Sequence, residues 1–111
     1  MKTVLLDECI PEKFQLSLSP YSCTTVRKAG LAGKKNGELL ALAEGKFDVL
    51  VTVDKSVRHQ QSMKGRRISV FIIRARGNSV AKLKPHAAAC LHTLEHIGFG
   101  EIVEVSGKRS G

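Results

Sequence analysis

The stretch Asp48-Val49-Leu50-Val51-Thr52-Val53, followed directly by Asp54, has the composition of a strand that is buried on both faces of a sheet. A second run of the same kind, Lys2-Thr3-Val4-Leu5-Leu6, ends in the same way at Asp7 and Glu8. Both runs are short and apolar and lack alternation, which predicts buried strands. Ligands of open parallel sheets bind outside the carboxyl ends of the strands, so we expect Asp7 and Asp54 to converge on one surface.

Turn and cap signals divide the rest of the chain into alternating strands and helices. Further strands are predicted over 21–26, 68–73 and 101–105, and helices over 12–18, 37–43, 55–63 and 80–96. This alternation predicts an α/β fold in three layers, with a mainly parallel central sheet of about five strands and helices on both faces. The last strand is amphipathic, so we expect it at a sheet edge, in either orientation. Residues 1–111 should form a single domain with a tail from about 106.

Composition narrows the classes of function. The 111 residues carry a formal net charge of +8, and several Lys and Arg residues cluster, which favours attraction to phosphate backbones. With no Trp, one Tyr and four scattered Phe, the chain does not resemble a single-strand binder built on aromatic stacking. No apolar run is long enough for a membrane span. Three cysteines without metal-type spacing (Cys9, Cys23 and Cys90) indicate reduced thiols in a cytoplasmic protein.

The acidic residues at the strand ends suggest a metal site. A divalent cation such as Mg²⁺ takes hard oxygen ligands, often one or two carboxylates together with waters and substrate phosphates. Glu38, in the first turn of the second helix, is a third candidate. Two alternatives stay open: capping of backbone amides as the role of Asp7 and Asp54, and interaction with the helix dipole as the role of Glu38.

Basic and polar residues are expected beside this acidic site. Arg74, Arg76 and Asn78 follow the fourth strand and so belong to the same sheet edge, although Asn78 is equally placed to cap the next helix. The basic turn over 64–67 should border the crevice or approach it. The full set of predicted phosphate or RNA contacts is Lys55, Arg58, Arg66, Arg67, Arg74, Arg76 and Asn78.

The motifs in the chain resemble those of one family. The opening Leu5-Leu6-Asp7-Glu8-Cys9-Ile10-Pro11 is similar to the LLDEN-x-P start of the small PIN-like proteins, relatives of PIN-domain ribonucleases and of the toxin components of toxin–antitoxin systems. Further stretches resemble the family's TVR-x-x-GL-x-G, sDeeIlelA, vT-x-DkDF and lRlRgns motifs, in order, at 25–33, 36–43, 51–55 and 73–79. The resemblance covers nearly the whole chain.

The resemblance implies a PIN-like fold and an endoribonuclease that depends on Mg²⁺ or Mn²⁺. Carried over by position, it implies catalytic roles for Asp7, Glu38 and Asp54, and metal ligation by Asp7, Glu8 and Asp54. It also implies RNA as substrate and a cognate antitoxin protein as partner, and it leaves open whether the chain forms a homo-oligomer.

Several residues depart from the family's motifs, and these departures define an alternative to an active nuclease. Asn36 and Ser56 stand where the family has Asp, Val57 replaces an aromatic residue, and Cys9 replaces Asn. Fewer acidic ligands imply a weakened nuclease, or a degenerate PIN-like module that binds RNA or an antitoxin without cutting. A phosphoacceptor receiver domain, the rival from another class, needs a hydroxyl residue after the fourth strand, where this chain has Arg74.

Overall fold

A computed structural model of the protein describes residues 2–34, 36–54 and 65–105, and for Asn36 only the backbone. The predicted helix over 55–63, with Lys55 and Arg58, and the predicted tail lie outside the described residues. The described residues form five strands: β1 (Thr3–Leu6), β2 (Ser22–Thr25), β3 (Val49–Thr52), β4 (Ser69–Ile73) and β5 (Ile102–Val105).

The strands form one sheet in the order β2-β1-β3-β4-β5, and every neighbouring pair is parallel. The predicted α/β fold is therefore confirmed, with β1, β3 and β4 adjacent in the interior. The last strand lies at an edge, as predicted, and its orientation is parallel. The strand after β1 lies on one side of it, and the strands from β3 onward lie on the other side. The gap between β1 and β3 is therefore the topological switch point.

Helical segments connect the strands. A 3₁₀ helix, η1 (Glu12–Leu18), follows β1, and α1 (Asn36–Ala43) follows β2. The helix predicted over 80–96 is instead divided into α2 (Val80–Leu83), a 3₁₀ turn at Lys84–His86 and α3 (Ala87–His96). Pro85 explains the interruption, because proline lacks the backbone donor that a continuous helix requires.

Each face of the sheet has its own hydrophobic core. On one face, side chains of β1, β3 and β4 pack with Phe14 and Leu18 of η1 and with Leu83, Cys90 and Leu94 of the last helices. On the other face, Leu5, Leu50, Val70 and Ile72 pack against Leu39, Leu40 and Ala43 of α1. Because strand side chains alternate between faces, both cores draw on the same apolar strands, and this explains why the strand sequences do not alternate.

The connection from β4 to β5 has the opposite hand from the other two described crossovers. The chain steps one way across the sheet from β1 to β2 over the η1 face, and the other way from β2 to β3 over the α1 face. From β4 to β5 it steps in the second direction, yet its helices pack on the η1 face. Most parallel crossovers share one hand, so this arrangement is unusual. It places three helical segments side by side on one face.

The two ends of the parallel strands are chemically distinct, and we call them the carboxyl edge and the amino edge of the sheet. The carboxyl edge holds the segments that follow the strands, including Asp7, the loop to α1, Asp54 and 74–79, and the amino edge holds the segments that precede them. None of the helices over the described residues is sufficiently long and apolar to traverse a bilayer.

Candidate functional site

Strand register places Asp7 beside Thr52. Leu6 pairs with Val51, and the Asp7 amide donates to the Val51 carbonyl at 2.9 Å. The next residues along the two strands, Asp7 and Thr52, therefore project toward the same face, and the Thr52 hydroxyl donates to Asp7 Oδ2 at 2.7 Å. Thr52 is fully buried, so this hydrogen bond is shielded from water.

The same hydroxyl joins Asp7 to the segment that carries Asp54. The backbone amide of Asp54 donates to Thr52 Oγ1 at 3.0 Å. Both strand-end acids thus lie at the carboxyl edge at the switch point, which confirms the predicted edge. Thr52 was not among the predicted site residues, although a hydroxyl residue at the end of an otherwise apolar buried run was visible in the sequence.

The Cys9 thiol completes the surroundings of Asp7. Its sulfur lies 3.6 Å from Asp7 Oδ2 and 3.5 Å from Thr52 Oγ1. Burial raises the pKa of the Cys9 thiol, with a further contribution from the negative charge of Asp7. The thiol is therefore protonated at neutral pH and donates a hydrogen bond to this site.

The other two predicted acids have separate partners. Glu8 Oε1 accepts a hydrogen bond at 2.8 Å from the amide of Gly33, which fastens the loop before α1 to the end of β1. Glu38 stands in the first turn of α1, the helix that covers the Asp7 face, and its carboxylate lies 3.7 Å from the Lys34 ammonium. The structure therefore links Glu8 to the neighbourhood of Asp7 and leaves Glu38 engaged with an exposed lysine.

The donor chemistry around Asp7 fits a hard divalent cation. Neutral groups hold this carboxylate, namely the Glu8 amide, the Thr52 hydroxyl and the Cys9 thiol, and no ion pair between described residues involves it. Within 2–34, 36–54 and 65–105, no group of three or more His, Cys, Asp and Glu side chains is arranged to hold a metal. An ion that takes one or two carboxylates and fills its other positions with water and phosphate oxygens does not require such a group.

A cleft of about 260 Å³ opens beside Asp7. Its walls include Asp7, Glu8 and Glu12 from the segment after β1, and Thr25 and Arg27 from the end of β2. Arg27 is the second residue that the sequence analysis left out of the site, although it belongs to the quoted 25–33 motif.

The predicted contacts after β4 are partly engaged with the protein itself. The Arg74 guanidinium pairs with Glu104 at 3.3 Å, and the Asn78 amide donates to the Cys9 carbonyl at 2.9 Å. The helix cap is Ser79, whose side chain accepts a hydrogen bond from the Lys82 amide. Arg76 is exposed at the same edge. These residues lie at the predicted edge, and their contact with phosphate stays a prediction.

The described part of the basic turn before β4, residues 65–67, lies at the opposite edge, and Lys64 lies outside the described residues. Arg66 pairs with Glu44 at 3.3 Å, and the Arg67 amide donates to the same carboxylate. Because β4 is parallel to β1 and β3, residues that precede it belong to the amino edge. The expectation that this turn borders the acidic crevice is therefore wrong.

No family model matches the chain, and neither a curated protein nor a solved structure matches it.

Proposed function

We propose that the protein is a cytoplasmic endoribonuclease of the PIN-like type, dependent on Mg²⁺ or Mn²⁺ and weaker than relatives with a full acidic cluster. The carrying observation is that Asp7 and the Asp54 segment are joined through Thr52 at the β1–β3 switch point. Ligand sites of open parallel sheets lie at this position. The motif resemblance and the net charge of +8 support an RNA substrate.

In this proposal Asp7 and Asp54 hold the metal. A bound Mg²⁺ or Mn²⁺ supplies activation of water and neutralisation of phosphate charge. Thr52 and the Glu8 amide fix the orientation of the Asp7 carboxylate before substrate arrives. Glu38, at the start of α1, is the acid that would orient the attacking water once substrate or metal draws it away from Lys34.

The test is cleavage of labelled RNA by purified protein with Mn²⁺ or Mg²⁺. We expect Asp7→Asn and Asp54→Asn to lose about 100-fold or more in rate, because even residues behind a metal ligand commonly cost 10–100-fold. Glu95→Gln is the matched control, since Glu95 is an exposed acid on α3 outside this cleft. Equal rates in wild type, Asp7→Asn and Asp54→Asn would remove the assignment of the site.

The second candidate is a non-catalytic module that binds RNA or an antitoxin partner. It is favoured by the separate partners of Glu8 and Glu38, because two of the four predicted acids are engaged elsewhere. Calorimetry distinguishes the two functions: the enzyme binds Mn²⁺ in an Asp54-dependent way, whereas the module binds RNA equally well with chelator and cuts none.

A cognate antitoxin is the expected protein partner of the enzyme, because free ribonuclease activity harms the cell that makes it. Growth arrest on expression should require Asp7, and co-expression of the inhibitor should relieve it. Arrest of equal strength by wild type and Asp7→Asn would show that the toxicity does not come from this chemistry.

A further inference from the structure

The cleft beside Asp7 is acidic on one side. Three of the residues that line it, Asp7, Glu8 and Glu12, carry carboxylates. A phosphate group that approached Asp7 through this cleft would meet like charge at close range, and the repulsion is strong where protein walls lower the local dielectric. Binding of a phosphodiester here is therefore favoured by positive charge, both from the metal ion of the proposed function and from a cationic side chain in the wall of the cleft.

Arg27 is the cation that lines this cleft among the described residues. Its neighbour Lys28 lies 2.6 Å from Glu12 and is engaged in that ion pair. The Arg27 side chain is exposed and forms no hydrogen bond or ion pair with any residue that the structure describes. Its guanidinium donors are thus available to a ligand, in contrast to those of Arg74, which face Glu104.

Backbone hydrogen bonds fix the position of Arg27 relative to Asp7. The Val26 amide donates to the Leu6 carbonyl at 2.9 Å, so the residue before Arg27 is tied to the residue before Asp7. The turn that follows is closed by the Ala29 amide on the Thr25 carbonyl at 3.0 Å and by the Lys28 amide on Thr25 Oγ1 at 3.1 Å. The backbone of Arg27 is therefore held beside the cleft, and its side chain, unpaired among the described residues, is free to meet a ligand there.

We propose that Arg27 binds the RNA phosphate that lies next to Asp7, so that the bound strand runs over the β1–β2 side of the carboxyl edge. This inference rests on the proposed function and adds a phosphate-binding residue and a path to it. Guanidinium is suited to the role, because its planar donors bind two phosphate oxygens at once. The same charge offsets the carboxylates that would otherwise repel the strand.

The experiment is fluorescence anisotropy of labelled oligouridine with the full chain, at constant CaCl₂ and increasing KCl. Calcium is used in place of magnesium because it also takes oxygen ligands. Four proteins are compared: wild type, Arg27→Ala, Arg27→Lys and Lys46→Ala. Lys46 is an exposed lysine at the amino edge, so its replacement removes the same charge far from the cleft. Far-UV circular dichroism checks that each variant folds.

We expect Arg27→Ala to bind about five- to tenfold more weakly at low salt and to flatten the slope of log K against log salt by about 0.7, the effect of one lost phosphate contact with a single strand. Arg27→Lys restores most of the slope, and Lys46→Ala keeps the slope of wild type. Equal slopes for wild type, Arg27→Ala and Lys46→Ala overturn the role of Arg27 while RNA binding stands. Absence of binding by wild type at every salt concentration refutes the proposed function itself.

Discussion

At the scale of single residues, the site depends on the hydroxyl of Thr52. This buried group donates to Asp7 and accepts from the Asp54 amide. We predict that Thr52→Val, which keeps the shape and removes the hydroxyl, lowers the free energy of unfolding by about 1–3 kcal/mol, because a half-buried carboxylate and an amide lose their partner. Urea denaturation measures the loss. Thr52→Ser is the control, since it keeps the hydroxyl, and a Thr52→Val protein as stable as wild type would contradict the assignment.

The buried Cys90 thiol gives a prediction about pH. Burial raises its pKa from 9.0 to about 12. In the unfolded chain the thiol ionises near its ordinary pKa, whereas in the folded protein it stays protonated to much higher pH. Wild type therefore loses stability as pH rises above about 9, by at most about 1.4 kcal/mol per unit from this group.

Cys90→Ala isolates this effect. Alanine lacks the titrating group, and the cavity it leaves costs stability equally at every pH. The advantage of wild type over Cys90→Ala in urea denaturation should therefore shrink from pH 8 to pH 11. A constant difference over that range would show that the thiol ionises alike in both states.

At the scale of secondary structure elements, Asn78 joins two loops of the carboxyl edge. Its side-chain amide donates to the Cys9 carbonyl at 2.9 Å and so ties the loop after β4 to the loop after β1. We predict that Asn78→Ala lowers the free energy of unfolding by about 0.5–1.5 kcal/mol, the usual net value of one hydrogen bond. Hydrogen exchange of the amides over 8–10 should quicken. Arg76→Ala is the control, because it truncates a side chain of the same exposed loop that does not form this hydrogen bond. It should leave the exchange rate of those amides unchanged.

The elements also show what a sequence reveals. Four of the described strands were predictable because runs of apolar and β-branched residues between Gly, Pro and polar residues are a local signal, and β2 was predictable from the Thr and Val residues over 21–26. The shared edge of Asp7 and Asp54 followed from parallel pairing. Pro85, which divides the last helix, was visible in the sequence, but the helical spacing of apolar residues on either side of it led to the prediction of one continuous helix.

Other features depended on contacts that local patterns do not encode. The hand of the connection from β4 to β5 is decided by which face buries Leu83, Cys90 and Leu94. The hydrogen bond between Thr52 and Asp7 depends on strand register, and the position of Arg27 in the wall of the cleft depends on the turn after β2. Arg66 was predicted at the wrong edge because the prediction followed its positive charge. Its position before the parallel strand β4 determines the edge.

At the scale of the whole molecule, the question is whether net charge or its placement attracts RNA. The protein has a formal charge of +8, the described basic residues lie at both edges of the sheet, and the proposed function requires only the carboxyl edge. Two triple variants separate the explanations, and each loses three positive charges. The carboxyl-edge variant replaces by Gln the residues Arg27, Arg74 and Arg76, and the amino-edge variant replaces by Gln the residues Lys2, Lys46 and Arg67.

We predict that the carboxyl-edge variant binds single-stranded RNA about 100-fold or more weakly than wild type at about 0.1 M salt, because up to three phosphate contacts are lost together. The amino-edge variant should stay within about threefold of wild type, since it changes only the long-range field, which salt screens over roughly 10 Å at 0.1 M. Loss of the partly exposed Arg74–Glu104 pair costs little stability, so both variants should fold. Anisotropy titrations on both proteins give the comparison. Equal weakening would mean that RNA responds to total charge, and the strand-end site would then have no claim on the substrate.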